Sequence, residues 1–258
     1  MNKIRAFFRL LFFAIGSLFF ISRYLIKAAI VGNNLDRALR VRKQWFSIIN
    51  AMLGVRVEVF GEMPKESGLL VCNHRSYFDP LIVMQYLLAL PVGKAEIEKW
   101  PIIGYGAKVS GSVFVDRKTK EGRDKARQEI LNTLRKGYFV INYPEGTTHI
   151  NPQTNEFKPA LFKDAAAEGF SVYPIVLEYQ RDEDAWIGDD TFIRHFFDCF
   201  GKKNTYIKLS YGPVLKSDSA TELMNMSKQW IDKELLVLRK NWHHSDPTMI
   251  KHAKESMV

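Results

Sequence analysis

Apolar residues run almost without interruption over 6–31, where Phe7, Phe8, Phe12, Phe13, Phe19 and Phe20 recur among Leu and Ile. That density predicts a long helix. Gly32-Asn33-Asn34 ends it, and Asn34 is placed to cap a second helix over 35–53, in which Leu39, Trp45, Phe46, Ile49 and Met52 sit among basic residues. After Gly54 the pattern becomes that of an α/β domain. Alternation over 55–60 and short apolar runs over 69–74, 91–95, 112–115, 138–143, 171–179 and 205–214 predict strands. Helical periodicity predicts helices over 81–90, over 119–136 with Gly137 as its stop, from Pro159 to 168, over 189–200 and over 221–240. Pro101, Gly104, Gly106 and Gly111 read as a turn-rich stretch. The expected fold is therefore α/β: a mixed, largely parallel sheet flanked by helices, preceded by an N-terminal two-helix membrane-associating arm. The expected organisation is an arm at 1–53, a single core-forming domain at 54–240 and a polar tail at 241–258.

Charge sharpens the reading of the arm. The 258 residues carry a net charge of +9, and residues 1–50 hold nine Lys and Arg against the single acid Asp36. A basic segment dense in Phe, Leu and Ile suits an anionic membrane surface and argues against nucleic acid as the partner. The longest uncharged run, 10–22, is bounded by Arg9 and Arg23 and is shorter than the roughly 20 residues of a straight crossing. A monotopic, peripheral insertion is expected, with a tilted single pass as the alternative, and the basic arm orients the domain to the cytoplasmic face of the inner membrane. No cleavage site typical of a signal peptide follows the apolar run.

Candidate chemistry begins at Val71-Cys72-Asn73-His74-Arg75-Ser76-Tyr77-Phe78-Asp79-Pro80. A strand delivers Asn73 and His74 to its carboxyl end, and a carboxylate five residues on can orient a histidine that takes and returns a proton. Taken alone, Asp79-Pro80 is also a good N-cap followed by a good first helical residue, and His74 could be a hydrogen-bonded strand end. The predicted strands ending at His74, Arg117 and Glu145 would, if parallel, bring all three to one edge of the sheet. Cys72 and Cys199 have no metal-ligand spacing and are expected to be inert, and His243, His244 and His252 have no carboxylate–histidine spacing that would make a metal site.

Four blocks taken in order resemble the glycerolipid acyltransferase family that includes the 1-acylglycerol-3-phosphate acyltransferases. They are Asn73-His74 with Asp79, the stretch Gly111-Ser112-Val113-Phe114-Val115-Asp116-Arg117, then Pro144-Glu145-Gly146-Thr147, and Val172-Tyr173-Pro174-Ile175. The likeness covers about residues 55–215, with Lys94 and Pro101 where the family commonly has a lysine and a proline. It implies an O-acyltransferase domain at 54–240 that moves a fatty acyl group from an acyl-CoA or acyl-carrier-protein thioester to a lysolipid hydroxyl, with no metal or bound cofactor. It implies His74 as general base and Asp79 as its orienting partner. Asn73, Lys94, Gly111, Phe114, Arg117, Glu145, Gly146 and Thr147 are the implied substrate-binding residues. Among these, Arg117 would hold an acidic head group, and Glu145 would touch an acceptor hydroxyl or hold Arg117. Backbone N–H groups near the Pro80 helix would serve the oxyanion.

One departure bears on the acceptor. The family's third block usually continues with arginine, whereas this chain has Thr148. Lysophosphatidate is the first expectation, and lyso-ornithine lipid or another lysophospholipid is the alternative, since some branches have an uncharged residue there. Trp186-Ile187-Gly188-Asp189-Asp190 with His195 is similar to those branches. Two competing readings remain, a hydrolase in which His74 activates water and a silent lipid-binding protein; no Gly-x-Ser-x-Gly elbow supports the first.

Overall fold

The computed structural model describes residues 2–240 and Trp242, so the tail histidines His243, His244 and His252 lie outside the described residues. The sheet has seven strands: β1 (Val55–Phe60), β2 (Leu69–Cys72), β3 (Ala89–Lys94), β4 (Val113–Val115), β5 (Phe139–Asn142), β6 (Val172–Tyr179) and β7 (Thr205–Tyr211). Their order is β1-β7-β6-β2-β5-β3-β4, and every neighbouring pair is parallel except β6 with β7. The fold is thus the expected mixed, largely parallel sheet. β2 and β6 are buried along their whole length at its centre. Such strands read as continuous apolar runs because helices cover both faces.

Among the described residues eight α-helices flank or precede the sheet: α1 (Asn2–Val31), α2 (Leu35–Leu53), α3 (Asp79–Met84), α4 (Ile103–Val109), α5 (Lys120–Arg135), α6 (Ala160–Glu168), α7 (Phe192–Phe200) and α8 (Ala220–Lys240). On one face Leu70 and Cys72 of β2 pack with α2, α3 and α7 through Ile49, Ile82, Phe196 and Phe200. On the other, Leu69 and Val71 meet α5, α6 and α8 through Ile130, Phe162 and Ile231. The period-2 alternation of the strand sorts these side chains to opposite layers.

Two local expectations need correction. The apolar stretch 81–90 is a six-residue helix, α3, followed by β3 from Ala89, because a buried apolar run does not by itself separate helix from strand. The glycine-rich stretch is in part the helix α4. A Cβ at Gly104 would stand 2.2 Å from the Glu98 carbonyl oxygen and one at Gly106 would stand 3.1 Å from Ile21 of α1, so these glycines permit close packing rather than a turn.

The arm is fastened to the domain. Asn34 caps α2 by accepting from the Arg37 N–H at 2.9 Å, and Trp45 of α2 donates to Ser17 Oγ of α1 at 3.1 Å. Arg5 donates to the Gly201 carbonyl, while Arg9 donates to the carbonyls of Phe200, Lys202, Lys203 and Met52. These cations satisfy the carboxyl ends of α7 and α2, where orphan carbonyls carry partial negative charge. Part of the arm's basicity therefore serves the fold and is not free for a membrane surface. Replacing Arg9 with Met should lower unfolding free energy by about 1.5–3 kcal/mol, the usual cost of losing hydrogen bonds to a charged donor, as measured by urea titration in mild detergent.

Candidate active site

The loop from Asn73 to Phe78 is wound around one carboxylate. Asp79 is fully buried, and its Oδ2 accepts from Nδ1 of His74 at 2.8 Å, the Arg75 N–H at 2.7 Å and the Ser76 N–H at 2.9 Å. Its Oδ1 accepts from the Tyr179 hydroxyl of β6 at 2.8 Å. The N-cap reading of Asp79 is overturned. It is the first residue of α3, with Phe78 at the cap position, and its side chain bonds upstream N–H groups. With Nδ1–H committed to Asp79, His74 is left with Nε2 as its free basic nitrogen. Tyr143 at the end of β5 stacks on the ring, centroids 4.1 Å apart and planes 24° from parallel.

Beneath this loop runs a chain of charged groups that the motif reading missed. Glu145, expected to meet substrate, is buried: Oε1 accepts from the His74 N–H at 3.1 Å, and Oε2 accepts from the Asn155 N–H at 2.7 Å and from Nε2 of His149. Both oxygens are occupied, so Glu145 neither reaches the cavity nor holds Arg117. His149 Nδ1 accepts from the Asn151 N–H and lies 3.2 Å from the Arg75 guanidinium, which fixes the proton on Nε2. Buried Arg75 also donates to the His149 carbonyl and pairs with Glu178, whose other oxygen accepts from Arg239 of α8. Burial pushes the Glu178 carboxyl up despite both arginines. The sequence signal for this chain was weak, since single charged residues on β6 and α8 look like surface residues until the topology brings them together.

Other expected residues divide in two. Lys94, Phe114, Arg117, Gly146 and Thr147 line one cavity with His74. Asn73 does not: it is fully buried, and its amide both accepts from and donates to the Leu177 backbone at 2.8 Å, which extends the β2–β6 pairing past the last strand residue. Gly111 does not either. It has a φ of +77° in the turn before β4, where a Cβ would stand 2.8 Å from Leu35 and 3.0 Å from Leu90. The N–H groups of Asp79 and Leu81 bond the Ser76 and Phe78 carbonyls, so those two are committed and do not serve as the expected oxyanion donors.

The cavity, about 790 Å³, runs from this charged edge between the domain and the arm. Its walls include Phe13, Phe20 and Tyr24 of α1, Val41, Trp45 and Phe46 of α2, and Trp100, Trp186 and Phe196. Arg42 is a buried cation among these apolar walls. Arg42 donates to the Ser110 and Ala89 carbonyls, and burial lowers its pKa to about 9. Trp186 is held by its N–H to the Arg75 carbonyl and by Nε1 to the Asp190 carbonyl. His195 is buried, its Nε2–H bonds the Ala185 carbonyl, and burial lowers its pKa, so it is a neutral structural residue. Burial and the nearby Asp79 and Glu145 hold the Cys72 thiol well above its usual pKa, which leaves it inert. Among the described residues no cluster of His, Cys, Asp and Glu could hold a metal ion.

Comparison with known proteins agrees with this geometry. Residues 55–178 match the family model described as Acyltransferase. The chain is similar to a lyso-ornithine lipid O-acyltransferase of Pseudomonas aeruginosa, 32% identical over 60% of this chain and 62% of that protein. It is also similar to one of Rhizobium meliloti, 26% identical over 72% and 70%. With a 1-acyl-sn-glycerol-3-phosphate acyltransferase of Neisseria meningitidis it shares 30% identity over 50% of this chain and 51% of that protein. The matched stretches thus span about half to 70% of these relatives' lengths. Among solved structures, the 1-acyl-sn-glycerophosphate acyltransferase PlsC of Thermotoga maritima superposes with a TM-score of 0.70 at 18% identity, covering 93% of this chain and 98% of that one, which establishes the shared fold. With the His74–Asp79 pair at the carboxyl edge of β2 and the ordered blocks around it, the segment 55–178 belongs to the acyltransferase family.

Proposed function

We propose that the chain is a membrane-associated O-acyltransferase that moves a fatty acyl group from an acyl-CoA or acyl-carrier-protein thioester to the free hydroxyl of a lysolipid. The observation that carries this is His74, bonded to buried Asp79 at 2.8 Å, at the polar end of a long apolar cavity. Nε2 of His74 takes the acceptor hydroxyl proton as the oxygen attacks the thioester carbonyl. Asp79 holds the ring in its Nδ1–H tautomer and stabilises the imidazolium that forms. The tetrahedral intermediate then collapses, the C–S bond breaks, and the thiolate takes the proton back from Nε2. Acyl transfer is direct, and the thioester is a co-substrate rather than a bound cofactor.

For the acceptor, 1-acyl-sn-glycerol-3-phosphate is the first reading. Lyso-ornithine lipid is the second, and Thr148 in place of arginine together with the names of the Pseudomonas and Rhizobium relatives favours it. His74→Ala should lower transfer from a labelled acyl thioester roughly 10²–10⁴-fold with either acceptor; thioester loss without an acylated lipid would favour a hydrolase instead. Glu145→Gln replaces one carboxylate oxygen with an NH2 donor, which then opposes the His74 N–H or else those of Asn155 and His149. It should lower stability by about 1–3 kcal/mol and reduce kcat while leaving the acceptor KM unchanged, as read from unfolding and steady-state kinetics.

The two sides of α1 support a monotopic seat, and the basic arm supports the cytoplasmic face of the inner membrane as its place. Leu10, Phe12, Phe13 and Phe20 pack on the core, whereas Phe7, Phe8, Leu11, Ile15, Leu18 and Phe19 are exposed. Crossing the bilayer would strip the first set from the domain. Burying the second set in a leaflet leaves those contacts intact. Phe8→Asp with Phe19→Asp should release most of the protein from sedimenting vesicles without changing its thermal unfolding, because neither ring packs on the core.

A further inference from the structure

The acceptor head group of the proposed reaction needs a countercharge, and Thr148, two residues after Gly146, supplies none. We infer that Lys158 supplies the second cation of an oxyanion-binding site, opposite Arg117 across Gly146. This inference rests on the acyltransferase reading above and names the chemistry that the site selects.

Gly146 follows Glu145 at the carboxyl edge of β5 and has a φ of +71°. Its carbonyl accepts from Nη1 of Arg117 at 2.9 Å. A Cβ at this position would stand 2.5 Å from Nζ of Lys158 and 3.7 Å from Nη1 of Arg117, so the two charged nitrogens are separated by no more than those two distances together. One oxyacid making ordinary charge-assisted bonds of about 2.8 Å to each side bridges such a gap. Lys158 is brought there by its own backbone, whose N–H bonds the Pro144 carbonyl at 3.0 Å and fastens the segment before α6 to the turn that carries Gly146.

Neither exposed cation at this edge has an ion pair among the described residues. Among the described residues the Lys158 ammonium has no hydrogen bond or ion pair, and Arg117 has only the Gly146 carbonyl. Glu145, adjacent in sequence, is turned inward with both oxygens occupied. Asp116 accepts from the Lys118 backbone N–H and the Thr119 hydroxyl before α5 and makes no ion pair with Arg117. Two cations held within reach of one another without an anion repel, and an acidic ligand between them relieves that repulsion. The class of acceptor that fits is a lysolipid whose head group ends in an oxyacid, a phosphomonoester or an amino-acid carboxylate. The fork of Arg117 would orient it and the point charge of Lys158 would neutralise it.

The test is steady-state acyl transfer to lysophosphatidate, lyso-ornithine lipid and zwitterionic lysophosphatidylcholine, each presented in neutral phosphatidylcholine vesicles. Lys158→Met should raise the KM of the oxyacid acceptor about tenfold or more while kcat changes less than about twofold. Lys158→Arg should keep KM near the wild-type value, and Thr148→Arg added to Lys158→Met should restore most of it. Lys163→Met, an exposed lysine on α6, should change neither parameter. Whichever oxyacid lipid carries the KM effect identifies the group as phosphate or carboxylate. If wild type is active and Lys158→Met leaves KM unchanged, or lowers kcat alone, the assignment is overturned while the acyltransferase reading stands. If wild type acylates only lysophosphatidylcholine, the oxyanion site is likewise overturned. If it acylates none of the three, the proposed function falls and this assignment falls with it.

Discussion

A carboxylate removed entirely from water has to be surrounded by donors, and at Asp79 that requirement shapes everything around it. Two backbone N–H groups, one imidazole and one phenol converge on its two oxygens, which forces the segment from His74 to Ser76 to curl back on the first turn of α3. The Tyr179 hydroxyl adds a contact from β6, a strand distant in sequence, and so ties the loop to the β2–β6 pairing. The histidine is thereby oriented from two directions. Asp79 fixes its ring, and the Glu145 carboxylate fixes its backbone nitrogen. In the proposed role of proton acceptor, a ring held this way would need little rearrangement at the moment of reaction, which is where preorganised sites gain rate.

The parts of the molecule most legible in the sequence were those with a local physical signature. The strand that carries Asn73 and His74 was readable from a buried apolar run, the arm's second helix from the Asn34 cap, and α5 from one apolar face with a terminating glycine. The pairing of His74 with Asp79 was readable from spacing as one of two alternatives, because an N-cap and a catalytic carboxylate leave the same letters. What chose between them was the direction of the hydrogen bonds, which depends on the turn between the two residues.

What was least legible depended on contacts across the sheet. Asn73 carries a polar amide beside His74 and reads as a ligand group. Its use as a splice between β2 and β6 is visible only once Leu177 is known to lie opposite. Glu145 is similar: a carboxylate in a Pro-Glu-Gly turn reads as exposed until His149 and Asn155 close over it. Arg75, Glu178 and Arg239 come from β2's loop, β6 and α8, and no sequence window contains all three. Lys158 lies outside the four blocks altogether, and only the return of the chain past Pro144 brings it to Gly146.

The fastening of α1 also sets an order of events during synthesis. Arg9 and the Lys202 carbonyl that it grips are 193 residues apart, and β1 pairs with a strand, β7, that is also made late, Val55 lying beside Thr205. At the usual 5–20 residues per second, the ribosome needs roughly 10–40 s to make that stretch. Throughout that interval α1 has emerged with only α2 to pack on, through Phe12, Phe13 and Phe20 against Trp45, while α7, which covers the rest of its inner side, does not yet exist. The outer side of α1 and part of its inner side are then apolar and bare, and a temporary apolar refuge would shield them until the finished domain takes the inner side back.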